Sequence, residues 1–186
     1  MSWLQLLGLF HLKTKTFQLK HIDGRFVNIF LPGTKKYLTL CEVFAENLAL
    51  GAEAVQSSTY NYLGAAQKAI DGNRRSDYHF RSCSHTKGDK DPWWRVDLKE
   101  VHKVTRVIIT NRGDCCSERI EGAQIRIGNS LENNGNNNQL AAIIKRIPAG
   151  ATETFQFKPV TGRYVNIFLP GHGKYLTLCE VEVFAD

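Results

Sequence analysis

No apolar run in the 186-residue chain approaches the roughly 20 residues that a membrane-spanning helix requires, so a soluble protein without membrane insertion is expected. No CxxC pair is present, which excludes the common structural zinc sites and a thioredoxin-like redox motif. No Asn-x-Ser/Thr acceptor occurs either, so N-glycosylation lends no support to secretion. A leader peptide lacks its usual marks: residues 4–10 (LQLLGLF) have no basic residue before them and no small-residue cleavage site after them. Either the start lies upstream or export takes another route. A concentrated basic stripe is missing too. Residues 1–46 hold six Lys or Arg against three acids and residues 47–186 hold eighteen against fifteen, so each part carries +3 of the total +6. That even spread argues against a nucleic-acid partner; mild attraction to anionic cell surfaces suits it better.

Hydrophobic residues at 42 % and charged residues at 23 % are ordinary globular values, enough for one domain with a short appendage. Of the five cysteines (Cys41, Cys83, Cys115, Cys116, Cys179), four can pair and one is left over. Adjacent Cys115 and Cys116 are poorly disposed to ligate one tetrahedral metal, whereas an oxidised vicinal pair closes a tight ring. An oxidising, extracellular compartment is therefore expected.

The chain repeats itself. Residues 24–43 read GRFVNIFLPGTKKYLTLCEV and residues 162–181 read GRYVNIFLPGHGKYLTLCEV, identical at 17 of 20 positions at an offset of 138. The expected organisation is an unassigned segment at 1–23, a partial repeat at 24–46 left from a truncated upstream domain, and a complete domain at 47–186. On this reading Cys41 is the odd thiol. Two strands alone are marginal in water, so the partial repeat is read as a structural remnant. The competing reading is an active dimerisation strand. Residues 1–23 show no clean period and receive no element.

From Asn47 onward, short β-branched or alternating runs fall between turn residues. Strands are expected at 93–98, 104–110, 123–127, 142–147, 154–157, 163–169 and 176–184, with breaks such as Asp71-Gly72-Asn73, Lys87-Gly88-Asp89 and Pro170-Gly171. One short helix is expected near 65–70. Strands at this spacing without amphipathic helices imply an all-β sandwich. Its loops at 57–63, 76–85 and 111–119, polar and rich in aromatics, are expected at one end, with Trp93 and Trp94 serving mostly as packing.

The densest chemistry lies between Cys83 and Arg119. His85 is followed after 26 residues by Arg112-Gly113-Asp114, then by Cys115 and Cys116, then by Arg119. Arginine's planar fork donates to two oxygens at once and stays charged, and imidazole donates or accepts through one nitrogen while the other is fixed by the protein. Such a set suits vicinal hydroxyls, and it suggests weak single-site binding amplified by multivalency.

The spacing resembles the F-type lectin (fucolectin) motif: a His, 26 residues, Arg-x-Asp, four residues, then Arg or Lys. The similarity extends through Asn47-Leu48-Ala49, Gln56-Ser57-Ser58-Thr59, Ala69-Ile70-Asp71-Gly72-Asn73, Pro92-Trp93-Trp94-Arg95-Val96-Asp97-Leu98, Ile127-Gly128-Asn129 and Leu178-Cys179-Glu180-Val181-Glu182-Val183, about residues 47–186. The resemblance implies a jelly-roll sandwich of the discoidin or galactose-binding kind. It makes His85, Arg112 and Arg119 the hydrogen-bonding trio for L-fucose, with Asp114 bracing the arginines from between them. It also implies a Cys83–Cys179 bridge and a Cys115–Cys116 vicinal disulfide whose apolar face meets the sugar ring. A pocket for the fucose methyl falls on Tyr78, His79 and Phe80, with Tyr60 and Tyr62 nearby, and His79 and Arg81 are placed to shift preference toward longer or charged glycans. A structural calcium ion is implied, held by Asp71, Asn73, Ser82 and Glu180 and by the backbone carbonyls of Lys68 and Cys179. The implied partners are fucosylated glycans and glycoproteins, met in innate immune recognition, with homo-oligomerisation (a trimer) for avidity.

Catalysis is not expected. No G-x-S-x-G elbow surrounds Ser117, and Asp114 and Glu118 flank cations, which lowers rather than raises a carboxyl pKa. The competing function is a discoidin-like module that binds phospholipid or protein through its loops.

Overall fold

The computed structural model describes residues 46–185 with their side chains and, before them, the backbone of Ser2–Gly8, Lys13–Leu19 and Val43–Phe44. The chain divides into two compact units, Met1–Glu46 and Asn47–Asp186. In the first, β1 (Ser2–Gly8), β2 (Lys13–Leu19) and β3 (Val43–Phe44) form an antiparallel sheet in the order β2-β1-β3. Ser2 lies opposite Leu19 and Gly8 opposite Lys13, while Gln5 and Leu6 meet Phe44 and Val43. This hairpin is an addition to the sequence reading, which assigns nothing before residue 24. Backbone pairing satisfies main-chain donors and acceptors whether or not either strand has a hydrophobic period. The rest of the first repeat copy, residues 24–42 with Cys41, lies outside the described residues.

The second unit is the expected all-β sandwich. It contains β4 (Glu53–Gln56), β5 (Ser84–His85), β6 (Trp93–Thr110), β7 (Gln124–Gly128), β8 (Gln139–Ile143), β9 (Thr152–Phe168), β10 (Thr177–Leu178) and β11 (Glu180–Ala185). The main sheet runs β11-β6-β9-β7-β8, with β4 also on β6, and β5 pairs with β10 in a two-stranded sheet. No helix among the described residues is long and apolar enough to cross a membrane.

Two long strands organise this unit. β6 and β9 pair from Trp93 opposite Phe168 to Thr110 opposite Thr152, but their register slips between Asp97 and His102 and again between Val104 and Arg106. Before the first slip β6 carries β4 on its free edge, and from Val104 onward it carries β11. The ladder thus serves two layers, and the slips are where it turns from one to the other. Lys99 adopts φ 68° there, with its N–H donated to the Asp97 side chain at 2.8 Å. Pro159 falls among the β9 residues skipped at the second slip, where the ladder asks no N–H of it. Gly162 lets β9 approach β7: a Cβ there would sit 2.5 Å from the Gly128 nitrogen.

The gaps at 99–103 and 158–162 between expected strands are therefore bends inside continuous strands, and the expected strand at 142–147 is replaced by β8, after which Ile144 donates to the Ala123 carbonyl instead. The expected short helix is a 3-10 turn at Ala66–Ala69. Trp94, Val96, Ile125, Ile127, Val165 and Ile167 from one layer and Val107, Ile109, Val181 and Val183 from the other form a single cluster closed to solvent. Each such side chain stabilises the fold by ~1.5–3 kcal/mol on burial. The indole N–H of Trp94 donates to the Ala66 carbonyl at 2.9 Å, so its burial leaves no orphan donor.

Candidate functional site

The three expected loops are tied to one another. Tyr60 donates its N–H to the His85 carbonyl (2.9 Å), Gly113 to the Ser76 carbonyl (2.7 Å), and Tyr78 to the Asp114 carboxylate (2.9 Å). His85 sits on β5, two residues from the buried Cys83–Cys179 disulfide, and that bridge sets the β5–β10 register with Thr177 opposite His85. On the other side the His85 N–H reaches the Gly64 carbonyl at 3.0 Å. Gly64 has to be glycine, since a Cβ would lie 2.8 Å from the His85 Cβ.

The loop after β6 is stapled by Asn111. Its amide donates to the carbonyls of Ser117 (2.9 Å) and Ile147 (2.7 Å), and its oxygen accepts the Arg112 N–H at 2.8 Å. Cys115 and Cys116 are joined as a vicinal disulfide, and Cys116 adopts the left-handed region at φ 59°. A residue with a Cβ accepts that conformation only where its surroundings hold it. Here the ring and the following 3-10 turn, Ser117–Ile120, do so, and the turn carries Arg119.

His85, Arg112 and Arg119 line one cleft of about 370 Å3, together with Tyr78, His79 and Cys115. The His85 Nδ1 lies 2.6 Å from the Thr86 carbonyl, which can only accept, so Nδ1 carries the proton and Nε2 presents a lone pair. Arg119 approaches that lone pair at 3.5 Å. Burial, with the Arg112 and Arg119 charges adding to it, holds the imidazole below its ordinary pKa against the opposing Thr86 hydrogen bond. The ring is thus neutral near pH 7, an acceptor set between two guanidinium groups. Tyr60 stacks on it at 4.7 Å, and Tyr78 tilts against it at 5.1 Å.

Each guanidinium rests on a tyrosine: Arg112 lies 4.6 Å over Tyr78 and Arg119 lies 4.7 Å over Tyr175. Arg112 also forks onto Asp114, with Nε–Oδ1 at 2.9 Å and Nη2–Oδ2 at 2.6 Å. Burial raises the Asp114 carboxyl, but the Arg112 bonds and the Tyr78 N–H outweigh it and leave the group below the usual carboxylate range. The expectation that Asp114 sits between two arginines needs correction. It holds Arg112 and faces His79 at 3.8 Å, whereas Arg119 leans on His85 and Tyr175.

Phe80 is likewise displaced from the expected pocket. It is 56 % exposed and carries the Arg75 guanidinium 3.6 Å above its ring, while Tyr78 and His79 of the same 3-10 turn line the cleft. Cys115, not Cys116, faces the cleft. Tyr175, Asn61 and Leu63 line it as well and were not singled out from the sequence. Tyr175 was within reach of an argument: pairing Cys83 with Cys179 in antiparallel strands runs the segment after His85 beside the one before Thr177. Asn61 accepts the Tyr78 hydroxyl proton at 2.6 Å and so anchors that ring.

A second cluster lies at the Asp71-Gly72-Asn73 turn. Glu180 is buried; its Oε1 accepts the Gly72 N–H at 3.2 Å, and its Oε2 has no partner among the described residues. Burial, with Asp71 and Glu182 nearby, pushes its carboxyl up to about 7. An orphaned buried carboxylate oxygen beside a second carboxylate fits a hard cation. Of the other expected oxygens, Asp71 accepts the Asn73 N–H (3.1 Å) and faces Lys68 Nζ (3.4 Å), and Asn73 accepts the Arg75 N–H (3.1 Å). Ser82 donates to the Asp77 carbonyl at 2.7 Å.

The comparisons with known proteins agree with this geometry. The family described as NedA-like, galactose-binding domain matches residues 68–167. Fucolectin-3 of Anguilla japonica is 54 % identical over 143 residues, covering 74 % of this chain and 78 % of its own length. The chain belongs to the F-type lectin family. Among solved structures, the F-type lectin from striped bass (Morone saxatilis) serum superposes with TM-score 0.74 at 44 % identity, covering 100 % of this chain and 71 % of its own. The lectin domain of lectinolysin, in complex with Lewis B antigen, gives TM-score 0.65 at 35 % identity over 76 % of this F-type lectin and 97 % of that domain.

Proposed function

We propose that this F-type lectin binds terminal L-fucose on glycans through the His85, Arg112 and Arg119 cleft. The observation that carries the reading is a neutral imidazole acceptor flanked by two guanidinium donors in one cleft. Vicinal hydroxyls are donors and acceptors at once. One donates a hydrogen bond to His85 Nε2, and their oxygens accept from Arg112 and Arg119, whose charge makes these bonds about twice as strong as neutral ones. Cys115, Leu63 and the tyrosine rings supply an apolar wall for the C–H face and the methyl group that distinguish a 6-deoxy sugar. The relatives named as fucolectins and the neighbour bound to Lewis B support the same ligand class.

Calcium belongs to this proposal. Asp71, Asn73, Ser82 and Glu180, with the carbonyls of Lys68 and Cys179, would hold it, and the ion supplies positive charge that lets Glu180 stay ionised while buried. Its role is to pin the turn that leads into the 76–85 loop. Secretion, homo-oligomerisation for avidity and a role in innate immune recognition complete the reading. Retention on an L-fucose resin with release by free L-fucose tests it; binding to anionic vesicles, unaffected by fucose, is the outcome that overturns it.

A further inference from the structure

The loop that walls the cleft carries more positive charge than the fucose reading uses. Residues 74–81 contain Arg74, Arg75, His79 and Arg81 against Asp77 alone. Arg74 forks onto Glu182 at 2.7 and 2.8 Å, and the Asp77 carboxylate caps the His79 N–H at 2.9 Å. Asp114 is taken by Arg112. Arg75 and Arg81 therefore have no carboxylate partner among the described residues.

Both are nevertheless held in place. The Arg75 N–H is bonded to Asn73, and its guanidinium covers the exposed Phe80 ring at 3.6 Å. Arg81 closes the Tyr78–Phe80 turn in the left-handed region at φ 60°, and its guanidinium lies 5.5 Å over the Tyr62 ring, which is 79 % exposed. Tyr62 stands between Asn61 and Leu63, and Phe80 follows His79, all three of these neighbours lining the cleft. Two guanidinium groups without a carboxylate partner among the described residues are thus held on rings whose chain neighbours line the cleft. Stacking restricts a long side chain while leaving its N–H fork open, and that fork matches the paired oxygens of a sulfate or carboxylate.

We infer that Arg75 and Arg81 form a rim subsite for an anionic substituent, a sulfate or a sialic-acid carboxylate, carried on the sugar next to fucose. The inference rests on the fucose reading of the cleft and names the glycan class that reading leaves open. It is tested by calorimetry with a neutral fucosylated trisaccharide ending in galactose and with the same trisaccharide sulfated or sialylated on that galactose. The expected result is about tenfold tighter binding of at least one charged form, narrowing as salt rises. The double variant Arg75→Gln, Arg81→Gln is expected to lose that preference while keeping its affinity for the neutral sugar within about twofold. Which charged form gains identifies the source of the anion. Equal affinity for neutral and charged sugars, or a preference that survives in the double variant, overturns the subsite alone. Failure to bind even the neutral sugar overturns the fucose reading and the subsite with it.

Discussion

The His85–Arg112–Arg119 cleft and the Asp71–Glu180 turn both gather charged side chains, but those side chains are partnered to different degrees. In the cleft each functional group already has its support: Asp114 holds Arg112, Thr86 fixes the His85 tautomer, and Tyr175 carries Arg119. At the turn a buried carboxylate oxygen has no partner among the described residues, and burial raises that carboxyl to about 7. A preorganised site loses little order when a ligand binds; a buried carboxylate without a partner would gain stability from a bound cation. The cleft should therefore respond to substitution in affinity and the turn in melting temperature.

The largest effect is expected from the two arginines. Arg119→Ala should weaken fucose binding by about 10- to 100-fold, the equivalent of one lost charge-assisted interaction of ~1.5–3 kcal/mol, with the melting temperature held. Arg112→Ala should weaken binding as much and also destabilise the fold by about 1–3 kcal/mol, because Asp114 then loses both guanidinium bonds and keeps the Tyr78 N–H. Equal melting curves for the two variants would break the distinction between a supported arginine and one that only leans on a ring.

Next in size is the pH dependence of the turn. The folded-state pKa of Glu180 lies above its ordinary 4.5, at about 7, so the folded protein holds the proton more tightly than the unfolded chain. Without a divalent ion, the contribution of Glu180 to stability is fully present below about 4.5 and is lost as pH rises through about 7, opposite in sign to that of Asp97 and Asp114. Calcium should restore it at neutral pH, and Glu180→Gln should flatten the slope. Melting curves in chelator that are independent of pH would count against a buried, unpartnered carboxyl.

The smallest expected effect separates neighbours on one turn. Tyr78→Ala removes a cleft wall and should lower fucose affinity about tenfold, whereas Phe80→Ala should change it by less than about twofold. Similar losses at both positions would return Phe80 to the pocket.

Legibility followed the range of the forces involved. Alternation reveals the strands wherever one face is buried, as at Trp94 and Val96, but it fails at Lys99 and Pro159, where the ladder skips residues as it turns between layers and resumes beyond them. β5 and β10 are two residues each and owe their pairing to the disulfide beside them, so no local pattern announces them. In the site, His85, Arg112 and Arg119 stand out through the spacing they share with the F-type lectin motif, and the structure lines one cleft with all three. Phe80 was misassigned because neighbours in a 3-10 turn point about 120° apart, so three consecutive residues do not share a face. Tyr175 is 90 positions from His85 and reaches it only through the paired strands, as the T-shaped contact at 6.0 Å records.

Nitrogen NMR of the His85 imidazole, with and without L-fucose, reads the acceptor nitrogen on which sugar binding depends. The expected result is a neutral ring near pH 7 with its proton on Nδ1, an Nε2 resonance that shifts when the sugar's hydroxyl donates to it, and loss of sugar as the ring is protonated below the ordinary imidazole range. A proton on Nε2 in the free protein, or an Nε2 resonance indifferent to saturating fucose, contradicts it.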